Sequence, residues 1–240
     1  MADARPASSP TLVFDLDGTL IDTVEDLVAA LNVVAGREGL PNVSLSDGRA
    51  MIGHGIRNLI ARAFGKHGRA LAEPELDRLV DAFLHEYLEA MPGRSRPYAG
   101  VAEVLDRFAA AGWLLAVCTN KSEAAARRLM TLLGLGDRFA VITGQDTFGF
   151  SKPDPRHLTE TVRAAGGDPS DAVMVGDSPT DVDTAIAAGV PVLAVSFGYS
   201  DVPVANIGAT AIIDDFAQLW DAVARIRIDA GTHQARRASV

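Results

Sequence analysis

The chain has 240 residues, 48% of them hydrophobic, which is enough for a sizeable core in one domain or in a domain that carries an insertion. Its formal net charge of −9 disfavours nucleic-acid binding, because an acidic surface repels a polyanion. No apolar run approaches the roughly 20 residues that span a bilayer, so no membrane segment is expected. Residues 1–10 lack the apolar segment of a secretory signal, and the single Cys118 cannot form an internal disulfide, so a cytoplasmic location is expected.

The predicted elements begin with a hydrophobic strand that leads into Asp15 and Asp17. Between residues 23 and 91 the apolar side chains recur only at helical spacing, which predicts an all-helical unit. The segment 92–97 contains two prolines and a glycine, interrupts every regular pattern, and is interpreted as the return linker. From Tyr98 onward helices alternate with strands, which implies a parallel sheet with right-handed crossovers.

The second part of the chain is predicted to supply five more strands. These strands are expected at 113–118, 139–143, 172–176, 190–195 and 211–213. The helices that follow them are expected at 122–134, 155–166, 179–188 and 216–223. The predicted fold is therefore α/β, a doubly wound, Rossmann-like parallel sheet with an inserted all-helical domain. We expect a sheet domain at 11–22 and 96–227, a helical domain at 23–95, and disordered tails at 1–10 and 228–240.

Two carboxylates stand at the end of the first strand. In a regular strand, the side chains of Asp15 and Asp17 would point the same way and lie roughly 6.5 Å apart. Buried carboxylates require a cation or a proton to compensate them, and open α/β sheets bind ligands at this edge. For an isolated motif, an Asx-type turn that closes the strand is the better interpretation. Three further segments favour a functional site.

The first of these segments, residues 176–181, follows the predicted strand 172–176. Asp177 comes directly after that strand, Ser178 is placed to cap the next helix, and Asp181 follows about one turn later. Taken alone, this segment is also compatible with an ordinary acidic helix start, because the helix dipole favours aspartate there.

The other two segments supply groups that can hold a phosphate. Thr119 and Asn120 follow a strand, where a hydroxyl, an amide and free backbone N–H groups can bind phosphate oxygens. Lys152 precedes Pro153 and is the basic residue best placed to reach the acidic strand ends. Taken singly, the first segment is compatible with a simple turn and the lysine with a solvated loop position.

The combined charge of these segments predicts a metal site. Asp15, Asp17, Asp177 and Asp181 are balanced by one lysine, which leaves a strongly anionic pocket. A divalent cation that prefers oxygen ligands resolves this imbalance, and Mg²⁺ binds few carboxylates together with water and substrate phosphate. Because neither cysteine nor histidine stands at these positions, zinc is disfavoured.

These segments resemble, in order and setting, the motifs of the haloacid dehalogenase-like superfamily. The matching motifs are Asp15-x-Asp17-Gly18-Thr19, Thr119-Asn120-Lys121, Lys152-Pro153 and Gly176-Asp177-x-x-x-Asp181. The resemblance covers residues 11–225, and the inserted helices resemble that superfamily's cap of the first type. It implies an Mg²⁺-dependent phosphatase that works through an aspartyl-phosphate.

The resemblance also implies a role for each motif residue. Asp15 would be the nucleophile, and Asp17 would protonate the leaving oxygen and then deprotonate the attacking water. Mg²⁺ would be held by Asp15, the backbone carbonyl of Asp17, and Asp177. The phosphoryl group would be bound by Thr119 and Lys152. Supporting contacts are expected from Asp181, which would position the lysine, from Ser178, and from Thr19 and Asn120 on the substrate.

Within the superfamily, the chain resembles the phosphoglycolate phosphatase group. In the helical unit, a turn at Gly53, His54 and Gly55 could offer backbone N–H groups to the carboxylate of a small acid, helped by His54 or Arg57. Equally, the two glycines could simply make a turn before a helix, with His54 and Arg57 solvated.

The expected partner is a small phosphorylated metabolite, and the best candidate is 2-phosphoglycolate. Other small phosphomonoesters, pyrophosphate and a phosphomutase substrate stay open. A non-catalytic phosphate-sensing module is a further alternative, although such a module has no reason to carry a helical lid of this size. The chain could act as a monomer or as a homodimer.

Overall fold

The structure is a computed structural model that describes residues 9–53 and 55–237. Within these residues, a six-stranded parallel sheet is accompanied by a separate pair of two-residue strands. The strands are β1 (Thr11–Phe14), β2 (Ile21–Asp22), β3 (Arg96–Pro97), β4 (Leu114–Cys118), β5 (Val141–Thr143), β6 (Ala172–Gly176), β7 (Val192–Val195) and β8 (Ala211–Ile213). The strand order of the large sheet is β5-β4-β1-β6-β7-β8.

Strand β1 is the point at which the strand order reverses. The chain places β4 and β5 on one side of β1, and then β6, β7 and β8 on the other side. Phe14, the last residue of β1, is paired with both neighbouring strands. Open α/β sheets bind ligands beyond the carboxyl ends of their strands at such a switch point. The residues that follow β1, β4 and β6 are Asp15, Thr119 and Asp177, so the topology brings these three to one edge.

Helices cover both faces of the sheet. The helices of the described residues are α1 (Val24–Arg37), α2 (Leu45–Arg49), α3 (Ile56–Gly65), α4 (Glu73–Ala90), α5 (Val101–Ala110), α6 (Glu123–Leu132), α7 (Pro155–Ala164), α8 (Pro179–Ala188) and α9 (Leu219–Arg237). Leu12 and Phe14 of β1 face the core that contains α5, α6 and α9, whereas Val13 faces α7 and α8. This alternation buries β1 on both faces, as expected for the central strand of a doubly wound sheet. Among these helices, none has the length and apolar character that a bilayer span requires.

Helices α1 to α4, residues 24–90, form a helical insertion between β2 and β3. Within it, α4 packs on α1 and α3, and the rings of Phe83 and Tyr87 stack with their centroids 6.0 Å apart. Ile21 pairs with Pro97, and Asp22 pairs with Arg96, in an antiparallel ladder. The chain therefore leaves the sheet and returns to it through two adjacent strands.

The doubly wound α/β fold is confirmed. Strands β6 and β8 and helix α8 have the predicted bounds. For the other strands and helices of the sheet region, the observed and predicted bounds mostly differ by a few residues at the ends. Helix α2 and strands β2 and β3 were not predicted, because elements of two to five residues are too short to show a hydrophobic period. Strand β3 lies at the end of the segment interpreted as an irregular linker.

The carboxyl-terminal end of the chain differs from the prediction. Residues 216–218 form one 3₁₀ turn, and α9 continues to Arg237 instead of ending at residue 223. The tail expected at 228–240 is therefore helical through Arg237, because good helix formers such as alanine and arginine outweigh the single Gly231. Residues 1–8 and 238–240 lie outside the described part of the chain.

Protonation of a buried histidine is expected to destabilise this fold in acid. His157 on α7 is fully buried, and burial together with the charge of Lys152 lowers its pKa to about 4. The unfolded chain binds this proton near a pH of about 6.5, so the free energy of unfolding should decrease as the pH falls from about 6.5 toward about 4, by up to about 1.4 kcal/mol per pH unit. Urea unfolding of the wild-type chain and of His157→Leu at several pH values measures this difference.

The matched control for that experiment is His85→Leu, which removes an exposed histidine from α4. It should keep the wild-type dependence of stability on pH. If the free energy of unfolding of the wild-type chain fell no more steeply with decreasing pH than that of His157→Leu, the role of His157 in acid destabilisation would be contradicted.

Candidate active site

The acidic cluster at the switch point begins with Asp15, directly after β1. Asp15 Oδ1 lies 2.9 Å from Lys152 Nζ, and this nitrogen also donates to Asp181 Oδ1 at 2.6 Å. Lys152 precedes α7, whereas Asp181 lies in the first turn of α8, so the ammonium joins three elements. All three side chains are buried. Burial alone would lower the pKa of Lys152, but the charges of the two carboxylates raise it above its usual value. The lysine is therefore charged and fixes the direction of the Asp15 carboxylate.

Asp181 has hydrogen-bond donors on both of its carboxylate oxygens. While Oδ1 faces Lys152, Oδ2 accepts from the backbone nitrogens of Asp177 at 3.2 Å and Ser178 at 3.1 Å, and from Ser178 Oγ at 2.8 Å. Ser178 is the N-cap residue of α8 and Pro179 its first residue, as the sequence predicted. Asp181 is thus placed to orient Lys152 and to tie the start of α8 to the cluster.

Asp177 is the second carboxylate at the switch point. It is buried after β6, where its Oδ2 accepts from the Tyr199 nitrogen at 2.6 Å and its Oδ1 accepts from Thr19 Oγ1 at 3.3 Å. Thr19 was expected to contact substrate, but the structure places its hydroxyl on this carboxylate. Gly18 has a φ of +84°, and a Cβ added to it would lie 2.4 Å from Asp177 Oδ2. Only glycine allows the turn after β1 to pass so close to Asp177.

The donor set of this cluster fits a hard divalent cation. Carboxylate oxygens of Asp15, Asp177 and Asp181 all lie within 4.8 Å of one another. Burial raises the pKa of Asp15 to about 6 although Lys152 opposes the shift, and burial with the charges of Asp181 and Asp15 raises the pKa of Asp177 well above its usual range. The repulsion among these carboxylates adds to the cost of burying them, and a bound cation would offset both. Asp181 is the most heavily bonded of the three, with Lys152 on Oδ1 and three donors on Oδ2, whereas Asp177 has one donor on each oxygen. Asp15 and Asp177 are therefore the carboxylates best suited to hold the ion.

The end of β4 supplies the phosphate-binding candidates. Thr119 is buried, its nitrogen donates to Thr143 O at 3.1 Å, and its Oγ1 accepts from the Lys121 nitrogen at 3.2 Å. The hydroxyl hydrogen of Thr119 is therefore free to point into the site. Asn120 Nδ2 donates to Lys152 O at 3.0 Å, so this amide positions the backbone of the lysine loop. Both Thr119 and Asn120 line a pocket above the strand ends, together with Asp15 and Lys152.

Lys121 belongs to the motif Thr119-Asn120-Lys121, but the sequence predicted no role for its side chain. Its Nζ lies 3.0 Å from Asp17 Oδ1 and 2.9 Å from Asp17 Oδ2. The ammonium also lies 4.5 Å from the centroid of the Tyr87 ring, which α4 contributes from the helical insertion. The Lys121 side chain is only 2% exposed. A second cation two residues after Thr119, at the same strand end, was the signal that could have indicated this contact.

The two aspartates of the first motif face two different lysines. The regular strand ends at Phe14, so the alternation of strand side chains does not extend to Asp15 and Asp17. Both carboxylates nevertheless line the pocket. The expectation that one lysine serves all four carboxylates is wrong, because Lys152 faces Asp15 whereas Lys121 faces Asp17.

The helical insertion covers the pocket with the glycine segment that the sequence singled out. Gly53 and Gly55 line the pocket with φ values of +111° and +82°. A Cβ added to Gly53 would lie 3.6 Å from Ser178 Cβ, which shows how closely the insertion approaches α8. His54 lies outside the described residues. Arg57 is not among the residues that line the pocket.

Arg57 is engaged on the outer surface of the helical insertion. It is 48% exposed and forms ion pairs with Glu73 and Asp77 at the start of α4. Of the two predicted alternatives for Arg57, a substrate contact beside the glycine turn or a solvated surface position, its position in the structure corresponds to the second.

Fold and site together define a parallel α/β protein whose switch point carries an acidic, lysine-bridged site beneath an inserted helical layer. The family described as haloacid dehalogenase-like hydrolase matches residues 12–195. The chain belongs to the haloacid dehalogenase-like hydrolase family.

Curated relatives match nearly the whole chain. A phosphoglycolate phosphatase of Mesorhizobium japonicum is 52% identical over 226 residues, covering 94% of this chain and 100% of the relative. A phosphoglycolate phosphatase of Agrobacterium fabrum is 45% identical over 232 residues, covering 97% and 99%. Among solved structures, a predicted phosphoglycolate phosphatase from Haemophilus somnus aligns with a TM-score of 0.82 at 30% identity, covering 89% of this chain and 97% of that one.

Substitution of Gly18 tests whether the turn after β1 must pass against Asp177. Gly18→Ala is expected to lower hydrolytic activity by at least about tenfold, since a shift of about 1 Å in a catalytic group can cost about a hundredfold. Gly112→Ala is the matched control, because Gly112 has a φ of +82° and nothing lies within 4 Å of an added Cβ. Both variants should lose about 1–2 kcal/mol from the left-handed backbone, and Gly18→Ala should lose more because its Cβ also collides with Asp177 and Tyr199. Compared per amount of folded protein, only Gly18→Ala should lose activity. Equal activities of the two folded variants would contradict the assignment.

Proposed function

We propose that the chain is an Mg²⁺-dependent phosphatase that hydrolyses a small phosphomonoester, with 2-phosphoglycolate as its substrate, through an aspartyl-phosphate on Asp15. The observation that carries this proposal is the buried contact of 2.9 Å between Asp15 and Lys152, at the switch point and facing the pocket. A carboxylate held in one direction by a fixed cation suits nucleophilic attack.

The choice of metal rests on the charge and chemistry of the cluster. Phosphatases of this family generally use Mg²⁺. Asp15, Asp177 and the backbone carbonyl of Asp17 would hold the ion. When bound, it would screen the repulsion between the anionic nucleophile and the phosphate.

In the first step, a carboxylate oxygen of Asp15 would attack phosphorus and form the acyl-phosphate bond as the ester oxygen leaves. Lys152, fixed by Asp181, would contact the transferring phosphoryl oxygens with its ammonium, and Thr119 would donate its free hydroxyl hydrogen to them. Asn120 would keep the lysine loop in place through its hydrogen bond to Lys152 O.

We propose that Asp17 moves the protons of both steps. Its carboxylate lines the pocket two residues after the nucleophile. It would give a proton to the leaving alcohol oxygen, and would then take a proton from the water that hydrolyses the aspartyl-phosphate. That second step returns the Asp15 carboxylate and releases inorganic phosphate.

The helical insertion would act as a cap. Its residues Leu27, Ile52, Ile56 and Leu59 give the pocket an apolar wall opposite the strand ends. Excluding bulk water during phosphoryl transfer protects the acyl-phosphate from uncontrolled hydrolysis. We propose residues 23–95 as this cap and the flanking segments 11–22 and 96–227 as the catalytic domain.

The substrate assignment is supported by the relatives, since those of Mesorhizobium japonicum and Agrobacterium fabrum are both named phosphoglycolate phosphatase. The glycine segment at Gly53 and Gly55 lines the pocket, where its backbone could meet a small substrate.

Hydrolysis of a panel of phosphate esters tests this proposal. With Mg²⁺ present, the chain should hydrolyse 2-phosphoglycolate with a higher kcat/KM than other small phosphomonoesters or pyrophosphate. A chelator should abolish hydrolysis, and added Mg²⁺ should restore it, because the acidic cluster repels phosphate without the ion. Release of inorganic phosphate is the measurement.

Asp15→Asn should remove hydrolysis of every ester while the protein stays folded, because an amide cannot form the acyl-phosphate. Asp214→Asn is the matched control, since Asp214 also follows a strand of the sheet, β8, but is exposed. It should keep wild-type rates. Equal rates across the panel would remove the glycolate assignment, and turnover by Asp15→Asn would remove the mechanism.

A further inference from the structure

The pocket contains a buried cation that binding of the phosphoryl group does not use. Of the described residues that line the pocket, two carry a positive charge, Lys121 and Lys152. Lys152 is bonded to Asp15 and Asp181 and serves the phosphoryl group in the proposed reaction. Lys121 is paired with Asp17 alone among the described acidic groups. Its Nζ lies beside the residue that would protonate the leaving oxygen.

Nearby arginines do not compete for an acidic substrate in this pocket. Arg57 is paired with Glu73 and Asp77 on the outer surface. Arg49 donates to Phe197 O at 3.4 Å and lies 5.0 Å from the centroid of the Tyr199 ring, and it is not a lining residue. Among the described lining residues, Lys121 is therefore the cation available to a negatively charged group on the leaving alcohol.

Substrate geometry places such a group close to Lys121. In phosphoglycolate the carboxylate carbon is two bonds from the oxygen that leaves phosphorus. Asp17 must lie next to that oxygen, and Lys121 Nζ lies within 3.0 Å of both oxygens of Asp17. The remaining wall is apolar, which strengthens an ion pair because less water screens it.

We propose that Lys121 selects acidic leaving groups, by binding the carboxylate of the departing alcohol while the phosphoryl group lies against Asp15. This inference rests on the proposed phosphatase function and names the residue that sets its substrate class. Tyr87 covers the ammonium from α4, so the helical insertion completes this carboxylate site when it lies over the strand ends.

A purely structural role for Lys121 gives a different result. If the lysine only compensates the charge of Asp17 or orients it, its loss should slow hydrolysis of every ester to the same degree. If it binds the carboxylate, its loss should slow hydrolysis of acidic esters more. The ratio of kcat/KM for two substrates cancels any shared effect on Asp17 or on the amount of folded protein.

The experiment compares 2-phosphoglycolate with 2-hydroxyethyl phosphate, which has a neutral hydroxymethyl group in place of the carboxylate. The wild-type chain should prefer the acid. Lys121→Met should reduce that preference by about 10- to 100-fold, the range of a hydrogen bond to a charged group, mainly through KM for the acid. Lys121→Arg keeps the charge and should retain a preference for the acid even if both rates fall.

Lys66→Met is the matched control, because it removes the same side chain from an exposed ion pair with Asp47 that lies outside the pocket. It should leave the preference unchanged. An unchanged preference in Lys121→Met would overturn the assignment while the phosphatase proposal stands. If the wild-type chain hydrolysed neither ester, the phosphatase proposal itself would fail.

Discussion

The contact of Lys152 with both Asp15 and Asp181 is the interaction on which the rest of the site depends. It places a fixed positive charge where the switch point of the sheet would otherwise collect only carboxylates. A buried ion pair costs desolvation energy, which is offset best when the remaining carboxylate oxygens accept hydrogen bonds. Oδ2 of Asp181 accepts such bonds from the backbone nitrogens of Asp177 and Ser178, before the start of α8. Asp15, the proposed nucleophile, Lys152, the proposed phosphate ligand, and the start of α8 are thereby joined by one set of contacts.

A second chain of contacts connects this unit to the helical insertion through Tyr199. Its backbone nitrogen donates to Asp177, while its hydroxyl oxygen accepts from the nitrogens of Thr23 and Val24 at the start of α1, at 2.6 Å and 2.9 Å. Tyr199 thus positions Asp177, a proposed metal ligand, and also anchors α1 above the pocket. With Lys121 facing Tyr87 of α4, the insertion contacts the residues at the strand ends at two separate places.

The parts of the site that could be predicted from sequence are those set by position along a strand. Asp15, Asp177 and Lys152 follow from strand ends, turn residues and charge, which are local properties. The pairing of Asp17 with Lys121 joins two strand ends that lie far apart in the sequence, and spacing shows only that a second cation follows Thr119. The outward ion pairs of Arg57 depend on how α3 packs against α4, and no local pattern encodes that packing. Likewise, periodicity located the long helices but missed the five-residue α2.

The most direct test of the account is a crystal structure of the Mg²⁺-loaded protein treated with beryllofluoride, a mimic of an acyl-bound phosphoryl group. Electron density identifies the modified side chain. The account expects beryllium bonded to a carboxylate oxygen of Asp15, with the fluorides contacting Lys152 Nζ and the Thr119 hydroxyl. An adduct on another carboxylate, or an ion held in the pocket without a bond to Asp15, would contradict it.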